Sequence, residues 1–180
     1  MNAKARELGA VHSSFVNPHG LSEDGHYTTA YDLALIGRYA MQNETFRQIA
    51  ASKTLDWAGQ AWQTRLININ KMLWNYDGST GVKTGYTTEA KSTIVASAER
   101  NNRSYLAVVL GSSGNAVWTD AAALLDYGFT NFQQIKLANP GDVVATVSIN
   151  KEHKLQLVPG QEFSLSLPVQ EGKQVESQVH

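Results

Sequence analysis

Lys83, Thr84 and Gly85 are the residues of this sequence whose types and spacing most directly suggest chemistry. They follow a glycine-rich stretch, residues 77–81, and belong to a short segment that is typical of a β-strand. An ammonium group and a hydroxyl group on adjacent residues can both donate hydrogen bonds to a carboxylate. A glycine beside them lets the backbone of a ligand lie close to the strand. The pattern therefore predicts a strand that binds the C-terminal carboxylate of a peptide.

Lys-Thr-Gly is one of three sequence elements, with Ser-x-x-Lys and Ser-Asp-Asn, that occur together in active-site-serine enzymes acylated by penicillin. Residues 148–151 match Ser-x-x-Lys and residues 113–115 match Ser-x-Asn, but both follow Lys83 in the chain. Alternating β-branched residues predict a strand over 143–148, and residues i and i+3 of a strand point to opposite faces. Residues 113–115 precede a helical pattern, which predicts a turn and a helix cap. Neither match is therefore predicted to be catalytic.

The tripeptide is one of several blocks that follow one another along residues 1–132. The blocks are residues 1–5 with 7–9, 15–21, 26–34, 68–74, 77–87 and 124–129. In these blocks and in their order, the chain resembles the low-molecular-mass penicillin-binding proteins, which are serine-type D-alanyl-D-alanine carboxypeptidases.

The resemblance implies an α+β fold. Residues 1–131 would form the C-terminal part of a penicillin-binding/β-lactamase-like transpeptidase domain, in which helices pack on an antiparallel sheet. Residues 132–180 would begin a β-rich C-terminal domain that is truncated here. In the family, the acylating serine with its lysine partner, and then the second serine motif, precede the block that here begins at Met1. We therefore expect the nucleophile upstream of Met1, and we expect the chain to be an inactive fragment with no catalytic residue of its own.

The resemblance also implies roles for individual residues. Lys83 would hold the terminal carboxylate of the substrate, and Thr84 would hydrogen-bond to it or to the carboxylate of penicillin. Gly85 would keep the strand flat enough for the substrate to lie antiparallel along it. Asn70 matches a recurring asparagine of the family, for which a structural and a catalytic role are both open. The ligands would be a peptidoglycan pentapeptide ending in D-Ala-D-Ala, trimmed through an acyl-enzyme, and β-lactam antibiotics.

The family further implies an exported bacterial protein, in the periplasm or at the outer face of the cytoplasmic membrane. The sequence up to His180 shows no amphipathic C-terminal helix of the kind that holds many members at the membrane surface, so membrane contact would need an anchor outside this chain.

A D-Ala-D-Ala endopeptidase and a class A-like β-lactamase, which also use Lys-Thr-Gly, are alternatives to the carboxypeptidase, although the β-rich segment 132–180 favours the carboxypeptidase. A non-catalytic cell-wall-binding module is another, and an upstream Ser-x-x-Lys would exclude it.

Composition argues against several other classes of protein. A formal net charge of -1 over 180 residues, with scattered lysine and arginine, predicts no nucleic-acid partner. The absence of cysteine excludes thiolate metal sites and disulfides from this segment. His12, His19 and His26 are evenly spaced, but Pro18 and Gly20 interrupt any helix that would align them, so structural roles are favoured. Neither a metal nor a cofactor is expected, and no apolar run approaches the length that spans a membrane.

Local patterns predict the helices around Lys83. Short helices are predicted over residues 2–8 and 45–50, and a longer one between them is capped by Thr28 or Thr29. The apolar face of the longer helix carries Leu33, Ile36, Ala40 and Met41. Another helix is predicted over residues 117–127, ended by Gly128, with Ala121, Leu124 and Leu125 facing inward.

The predicted strands fall into two groups. Within residues 1–131, residues 54–57 are predicted to pair with 62–65. Residues 92–98 are predicted to pair with 104–110 across a turn at Asn101 and Asn102. Together with the strand of Lys83, the second pair predicts an antiparallel sheet. Within residues 132–180 the predicted strands are 133–137, 143–148, 155–158 and 163–167. All four tryptophans, Trp57, Trp62, Trp74 and Trp118, are predicted to be core residues.

Overall fold

The computed structural model of the chain describes residues 1–150 and 153–171. Contacts divide the chain into two compact units, Met1–Asp126 and Tyr127–His180. Lys151 of the Ser-x-x-Lys match and the last nine residues of the predicted second domain, 172–180, lie outside the described residues. The predicted domain boundary at residues 131 and 132 stays a prediction.

Residues 1–75 contain four helices, and one of them begins at a predicted cap. They are α1 (Asn2–Glu7), α2 (Ala30–Ala40), α3 (Glu44–Ala51) and α4 (Met72–Asn75). Thr29 is the N-cap of α2, and its hydroxyl accepts a hydrogen bond from the backbone N–H of Asp32 at 3.1 Å. Asn43 caps α3 in the same way, with its side-chain oxygen 2.9 Å from the backbone nitrogen of Phe46. The helix predictions in residues 1–51 are confirmed.

Three antiparallel strands form the central sheet of this unit. They are β3 (Ser79–Thr87), β4 (Lys91–Arg100) and β5 (Arg103–Ser112), in the spatial order β3-β4-β5. Asn101 and Asn102, at φ of 50° and 60°, form the turn between β4 and β5, as their residue types predicted. The earlier strands β1 (Thr54–Ala58) and β2 (Gln63–Ile67) form a separate hairpin. The predicted antiparallel sheet carrying Lys83 is confirmed.

The close approach of α2 to the sheet depends on Gly37. A Cβ atom at this position would lie 3.0 Å from Leu106 Cδ1 and 3.1 Å from Val95 Cγ1, so a side chain here would require the Leu106 and Val95 side chains to shift. On the other face of β4, Ile94, Ala96 and Ala98 are buried. The predicted apolar face of α2 is only half-buried, at Leu33, Ile36, Ala40 and Met41.

The predicted end of the last helix is wrong. Helix α5 (Ala116–Asn131) continues through Gly128, which does not adopt the positive φ that commonly ends a helix. Its buried side chains are Val117, Ala121 and Leu125, which are spaced by four residues and form one stripe. Leu124 lies beside that stripe and is 49% exposed, so its predicted inward orientation is also wrong.

The described residues of the second unit include the end of α5 and two separate strand pairs. β6 (Phe132–Ala138) pairs with β9 (Phe163–Pro168), and β7 (Ala145–Ser148) pairs with β8 (Lys154–Leu157), both antiparallel. The predicted strands are therefore confirmed, although Val143 and Val144 precede β7 instead of starting it. Ser148 lies in β7, which confirms the strand predicted for the Ser-x-x-Lys match.

Three of the four tryptophans do not lie in the core. Trp57, Trp62 and Trp74 are 47%, 56% and 49% exposed, and Trp118 is half-buried. Every residue of β1 and β2 is exposed. The indole rings of Trp57 and Trp62 in this hairpin contact each other, with 6.5 Å between their centroids. The core prediction is wrong because a hairpin without a covering layer has no interior into which an aromatic ring can turn.

None of the described helices combines the length and hydropathy that a membrane crossing requires.

Candidate anion-binding site

A cavity of about 940 Å³ opens beside β3, and Lys83, Thr84 and Gly85 all line it. Lys83 lies opposite Val95 of β4 in the strand register, and Gly85 lies opposite Thr93. Within the described part of the chain, β3 is an edge strand, paired only with β4. Its other edge offers unpaired backbone groups, to which an extended peptide can add as a further strand.

The Lys83 side chain is exposed, and its ammonium group remains close to its own strand. Lys83 Nζ donates to the backbone oxygen of Thr84 at 2.5 Å. Among the described residues, no carboxylate lies within 4.0 Å of this ammonium group. A ligand carboxylate therefore has to displace only a backbone contact in order to bind Lys83.

Gly85 is required by a close contact with the neighbouring strand. Thr93 Oγ1 donates to the backbone oxygen of Gly85 at 3.1 Å. A Cβ atom on residue 85 would lie 2.8 Å from the same hydroxyl oxygen, which is closer than real Cβ contacts allow. A side chain here would displace Thr93 and narrow the cavity.

The loop of the block at residues 15–21 forms another wall of the cavity, with Pro18, His19, Gly20 and Leu21 as lining residues. The loop is folded around Asn17, which is buried. Asn17 Oδ1 accepts from the backbone of Gly20 at 2.8 Å, and Asn17 Nδ2 donates to the backbone of Leu21 at 3.0 Å and to Glu23 Oε2 at 3.1 Å. One buried amide therefore holds this wall in a defined conformation.

The three evenly spaced histidines make separate contacts. His19 Nδ1 and His26 Nδ1 accept backbone hydrogen bonds from Leu21 at 3.2 Å and from Val16 at 3.3 Å. The His12 ring is exposed and lies 4.0 Å from a carboxylate oxygen of Asp32. Within residues 1–150 and 153–171, no three side chains of metal-binding type come together.

The same loop is tied to the end of β3. Ser22 Oγ lies 2.7 Å from Glu89 Oε2 and 3.0 Å from Thr87 Oγ1, and Thr87 Oγ1 accepts from the backbone of Ala90 at 3.0 Å. The Ser22 hydrogen bond is the main reason why the pKa of the Glu89 carboxyl lies below its ordinary value. This contact joins the loop wall and the strand wall of the cavity.

Replacing Ser22 with alanine is expected to raise the pKa of Glu89 towards its ordinary value, because the carboxylate loses its main hydrogen-bond donor. A lowered carboxyl pKa means that the contact stabilises the loop at neutral pH and is lost as the pH falls through the pKa of Glu89. Carboxyl ¹³C chemical shifts measured against pH test this. Ser104→Ala, at an exposed position of β5, is the control, and an unchanged Glu89 titration in Ser22→Ala would contradict the assignment.

A third wall brings together residues that sequence reasoning did not select. Lys71, Asn115 and Trp118 line the cavity, and Lys71 Nζ lies 3.4 Å from Asn115 Oδ1 and 5.8 Å from the Trp118 ring centroid. Lys71 belongs to the block at residues 68–74, and Asn115 belongs to the turn that matched Ser-x-Asn. The turn is confirmed by the hydrogen bond from the Ala116 N–H to the Ser113 oxygen, at 3.0 Å. Only the fold brings these residues to the cavity that Lys83 lines.

Asn70 lies next to this wall and does not line the cavity. Its side chain is 2% exposed, and its Oδ1 accepts from the backbone N–H of Met72 at the start of α4, at 3.1 Å. Of the two roles that the sequence left open, these contacts favour the structural one, in which Asn70 fixes the segment before α4.

The described residues that line the cavity include two lysines and no acidic residue. An ammonium group in a cleft raises the local concentration of anions and of peptides with a free carboxylate. The arrangement therefore suits an anionic, extended ligand that lies along β3.

Comparisons with known proteins agree with this geometry. Residues 1–114 match the family model of peptidase S11, described as D-alanyl-D-alanine carboxypeptidase. The D-alanyl-D-alanine carboxypeptidase DacF of Bacillus subtilis is 37% identical over 157 residues, which cover 84% of this chain and 39% of that protein. The carboxypeptidase DacD of Escherichia coli is 33% identical over 173 residues, covering 93% of this chain and 44% of that protein.

A solved structure shows the same fold. Penicillin binding protein 6B from Escherichia coli superposes with a TM-score of 0.74 at 29% identity, over 94% of this chain and 48% of that chain. The chain thus spans less than half the length of these relatives. The mixed helices and antiparallel sheet are those of the penicillin-binding proteins, as the sequence predicted. From the match over residues 1–114, the chain belongs to the peptidase S11 family of D-alanyl-D-alanine carboxypeptidases.

Proposed function

We propose that residues 1–180 are the carboxylate-binding part of a serine-type D-Ala-D-Ala carboxypeptidase. The observation that carries this proposal is the position of Lys83, Thr84 and Gly85 together on an edge strand, along a cavity with two ammonium groups and no acidic residue among its described lining. Family membership supports the same reaction.

In this proposal the substrate lies antiparallel to β3, and its terminal carboxylate takes the place of the Thr84 backbone oxygen at Lys83 Nζ. The Thr84 hydroxyl donates a second hydrogen bond to the carboxylate. Charge-assisted hydrogen bonds of this kind contribute roughly 1.5 to 3 kcal/mol. Gly85 leaves room for the peptide backbone because it carries no side chain.

The chemical step uses a serine outside residues 1–180. Its hydroxyl oxygen attacks the carbonyl carbon of the D-Ala-D-Ala bond, the terminal D-alanine leaves as the free amino acid, and water then hydrolyses the acyl-enzyme. The role of the present chain is to bind and orient the substrate, which makes the attack effectively intramolecular. The same contacts would hold the carboxylate of a β-lactam while the serine opens its ring.

The substrate and location follow from the reaction. The peptide is a peptidoglycan stem peptide ending in D-Ala-D-Ala. Stem peptides of the assembled cell wall lie outside the cytoplasmic membrane. We therefore propose that the complete protein is exported and acts in the periplasm or at the outer face of the membrane. A serine followed three residues later by lysine, upstream of the present chain, would separate this enzyme from a non-catalytic binding module.

The chain of 180 residues is expected to form no covalent adduct with labelled penicillin, whereas the protein that includes the upstream serine motif is expected to form one. The reason is that Ser148 lies on a strand, where residues i and i+3 point to opposite faces, and that Ser113 begins a turn. Denaturing gel electrophoresis after incubation with the label measures the adduct. A band from the chain alone that disappears in Ser148→Ala or Ser113→Ala would identify a nucleophile within it and contradict this assignment.

A further inference from the structure

Two ammonium groups enter the cavity beside β3 from different walls. Lys83 belongs to β3, and Lys71 directly precedes α4. For neither lysine does any carboxylate of the described residues lie within 4.0 Å. The proposed function uses Lys83 for the terminal carboxylate and leaves Lys71 without a role.

Lys71 is held in place on both sides by buried residues. Asn70 and Met72, its neighbours in the chain, are 2% and 3% exposed. Its ammonium group contacts Asn115 Oδ1 at 3.4 Å and lies 5.8 Å from the Trp118 ring centroid. Trp118 is half-buried, and the adjacent Val117 is buried, so the ring that Lys71 faces is also anchored.

The two lysines contact different groups. Lys83 Nζ bonds to the backbone of its own strand, whereas Lys71 Nζ contacts the turn before α5 and the first turn of that helix. Among the described residues, the two ammonium groups share no hydrogen-bond partner. Asn115 adds an amide N–H₂ group beside Lys71, which can donate to the same anionic oxygen.

Building on the proposed function, we propose that Lys71 binds a second carboxylate of the substrate. The site then prefers peptides that carry an acidic side chain in addition to the terminal D-Ala carboxylate. Lys71 is a specificity-determining residue in this assignment, with Asn115 as a second donor and the Trp118 ring as an apolar surface for the side-chain methylenes. Because Lys71 is exposed, the preference is modest and decreases as salt is added.

Two matched peptides test this proposal with the complete protein, in which alanine replaces the upstream serine nucleophile so that the peptides bind without being cleaved. They are N-acetyl-Glu-D-Ala-D-Ala and the isosteric N-acetyl-Gln-D-Ala-D-Ala, titrated into the ¹⁵N-labelled protein and followed by NMR. The glutamyl peptide is expected to bind about five-fold more tightly, equivalent to ~1 kcal/mol. Lys71→Gln should remove this preference, mainly by weakening the binding of the glutamyl peptide and changing that of the glutaminyl peptide much less. Lys83→Gln should weaken the binding of both peptides alike.

Lys53→Gln is the matched control. Lys53 also lies over an indole ring, 5.2 Å from the Trp74 centroid, but it does not line the cavity. This variant should retain the full preference for the glutamyl peptide. The spectra of all variants also report whether the fold is intact.

Three outcomes would overturn the proposal. Equal binding of the two peptides to the protein with both lysines intact, with both still dependent on Lys83, would exclude a second carboxylate site while leaving the proposed function in place. A preference for the glutamyl peptide that persists in Lys71→Gln would show that Lys71 does not bind the second carboxylate. Equal weakening of the binding of both peptides by Lys71→Gln would show that Lys71 binds the terminal carboxylate instead. Failure of both peptides to bind, with no effect of Lys83→Gln, would remove the carboxylate site of the proposed function as well.

Discussion

Lys83→Gln in the complete protein is expected to slow acylation by both substrate and penicillin by roughly ten- to a thousand-fold. Glutamine removes the charge that holds the carboxylate in the transition state, and each factor of ten corresponds to ~1.4 kcal/mol. The Lys83 side chain is exposed and bonds only to the backbone of Thr84, so the fold should remain intact. Stopped-flow or gel-based measurement of the acylation rate, together with the melting temperature, tests this.

Two further variants sharpen the result. Lys83→Arg should retain part of the activity, because the planar guanidinium is charged but cannot occupy the position of the compact ammonium group. Lys91→Gln, on the neighbouring strand and outside the cavity, should acylate at the normal rate. If Lys83→Gln acylates at nearly the normal rate with an unchanged melting temperature, Lys83 is a surface lysine and the proposed carboxylate site is wrong.

Asp32→Ala is expected to destabilise the first unit by about 3 kcal/mol, the largest effect on stability that we predict. The Asp32 side chain is fully buried, and its Oδ2 accepts from the His12 N–H and the Ser13 hydroxyl, both at 2.7 Å. Alanine would leave the His12 N–H without this acceptor and remove one of the two hydrogen-bond partners of Ser13, which is the costly way to remove a buried hydrogen bond. Chemical denaturation followed by tryptophan fluorescence measures the change.

The effect should extend to the cavity, because Asp32 connects α2 to the segment that leads into the loop wall. Ser13 also lies 2.8 Å from the Thr28 hydroxyl, so the loss of Asp32 loosens both ends of the loop. Asp32→Asn keeps one acceptor oxygen and should lose clearly less stability. Asp24→Ala, at an exposed position of the same loop, is the matched control. Equal stability of Asp32→Ala and Asp24→Ala would show that the buried contacts contribute nothing.

Local chemistry made much of the fold predictable. Thr29 caps α2, and Asn101 with Asn102 makes the turn between β4 and β5, because each of these residue types satisfies a backbone requirement within a few positions of itself. Strand alternation was equally informative in the second unit, where four strands were expected and four are present among the described residues. The Lys-Thr-Gly strand belongs to the same category, since its residue types and its position are both local properties.

Burial was less predictable, because it depends on what covers an element. Leu124 has the spacing of an inward residue, yet it lies beside the stripe formed by Val117, Ala121 and Leu125. Trp57 and Trp62 are apolar and large, yet their hairpin has no covering layer and both remain exposed. An apolar side chain favours burial, but the residues that would cover it come from distant parts of the chain.

The sequence by itself therefore determined the family, most of the helices and strands, and the position of Lys83, Thr84 and Gly85 on one strand. Only the tertiary structure brought Lys71 and Asn115 to the same cavity, although 44 positions separate them in the chain. No local sequence pattern predicts this contact. Lys71 precedes α4 and Asn115 lies in the turn before α5, so their distance depends on how α4, α5 and the sheet pack together. The proposed binding of a single carboxylate could thus be inferred from a tripeptide, whereas the proposed second carboxylate site rests on contacts that only the folded chain shows.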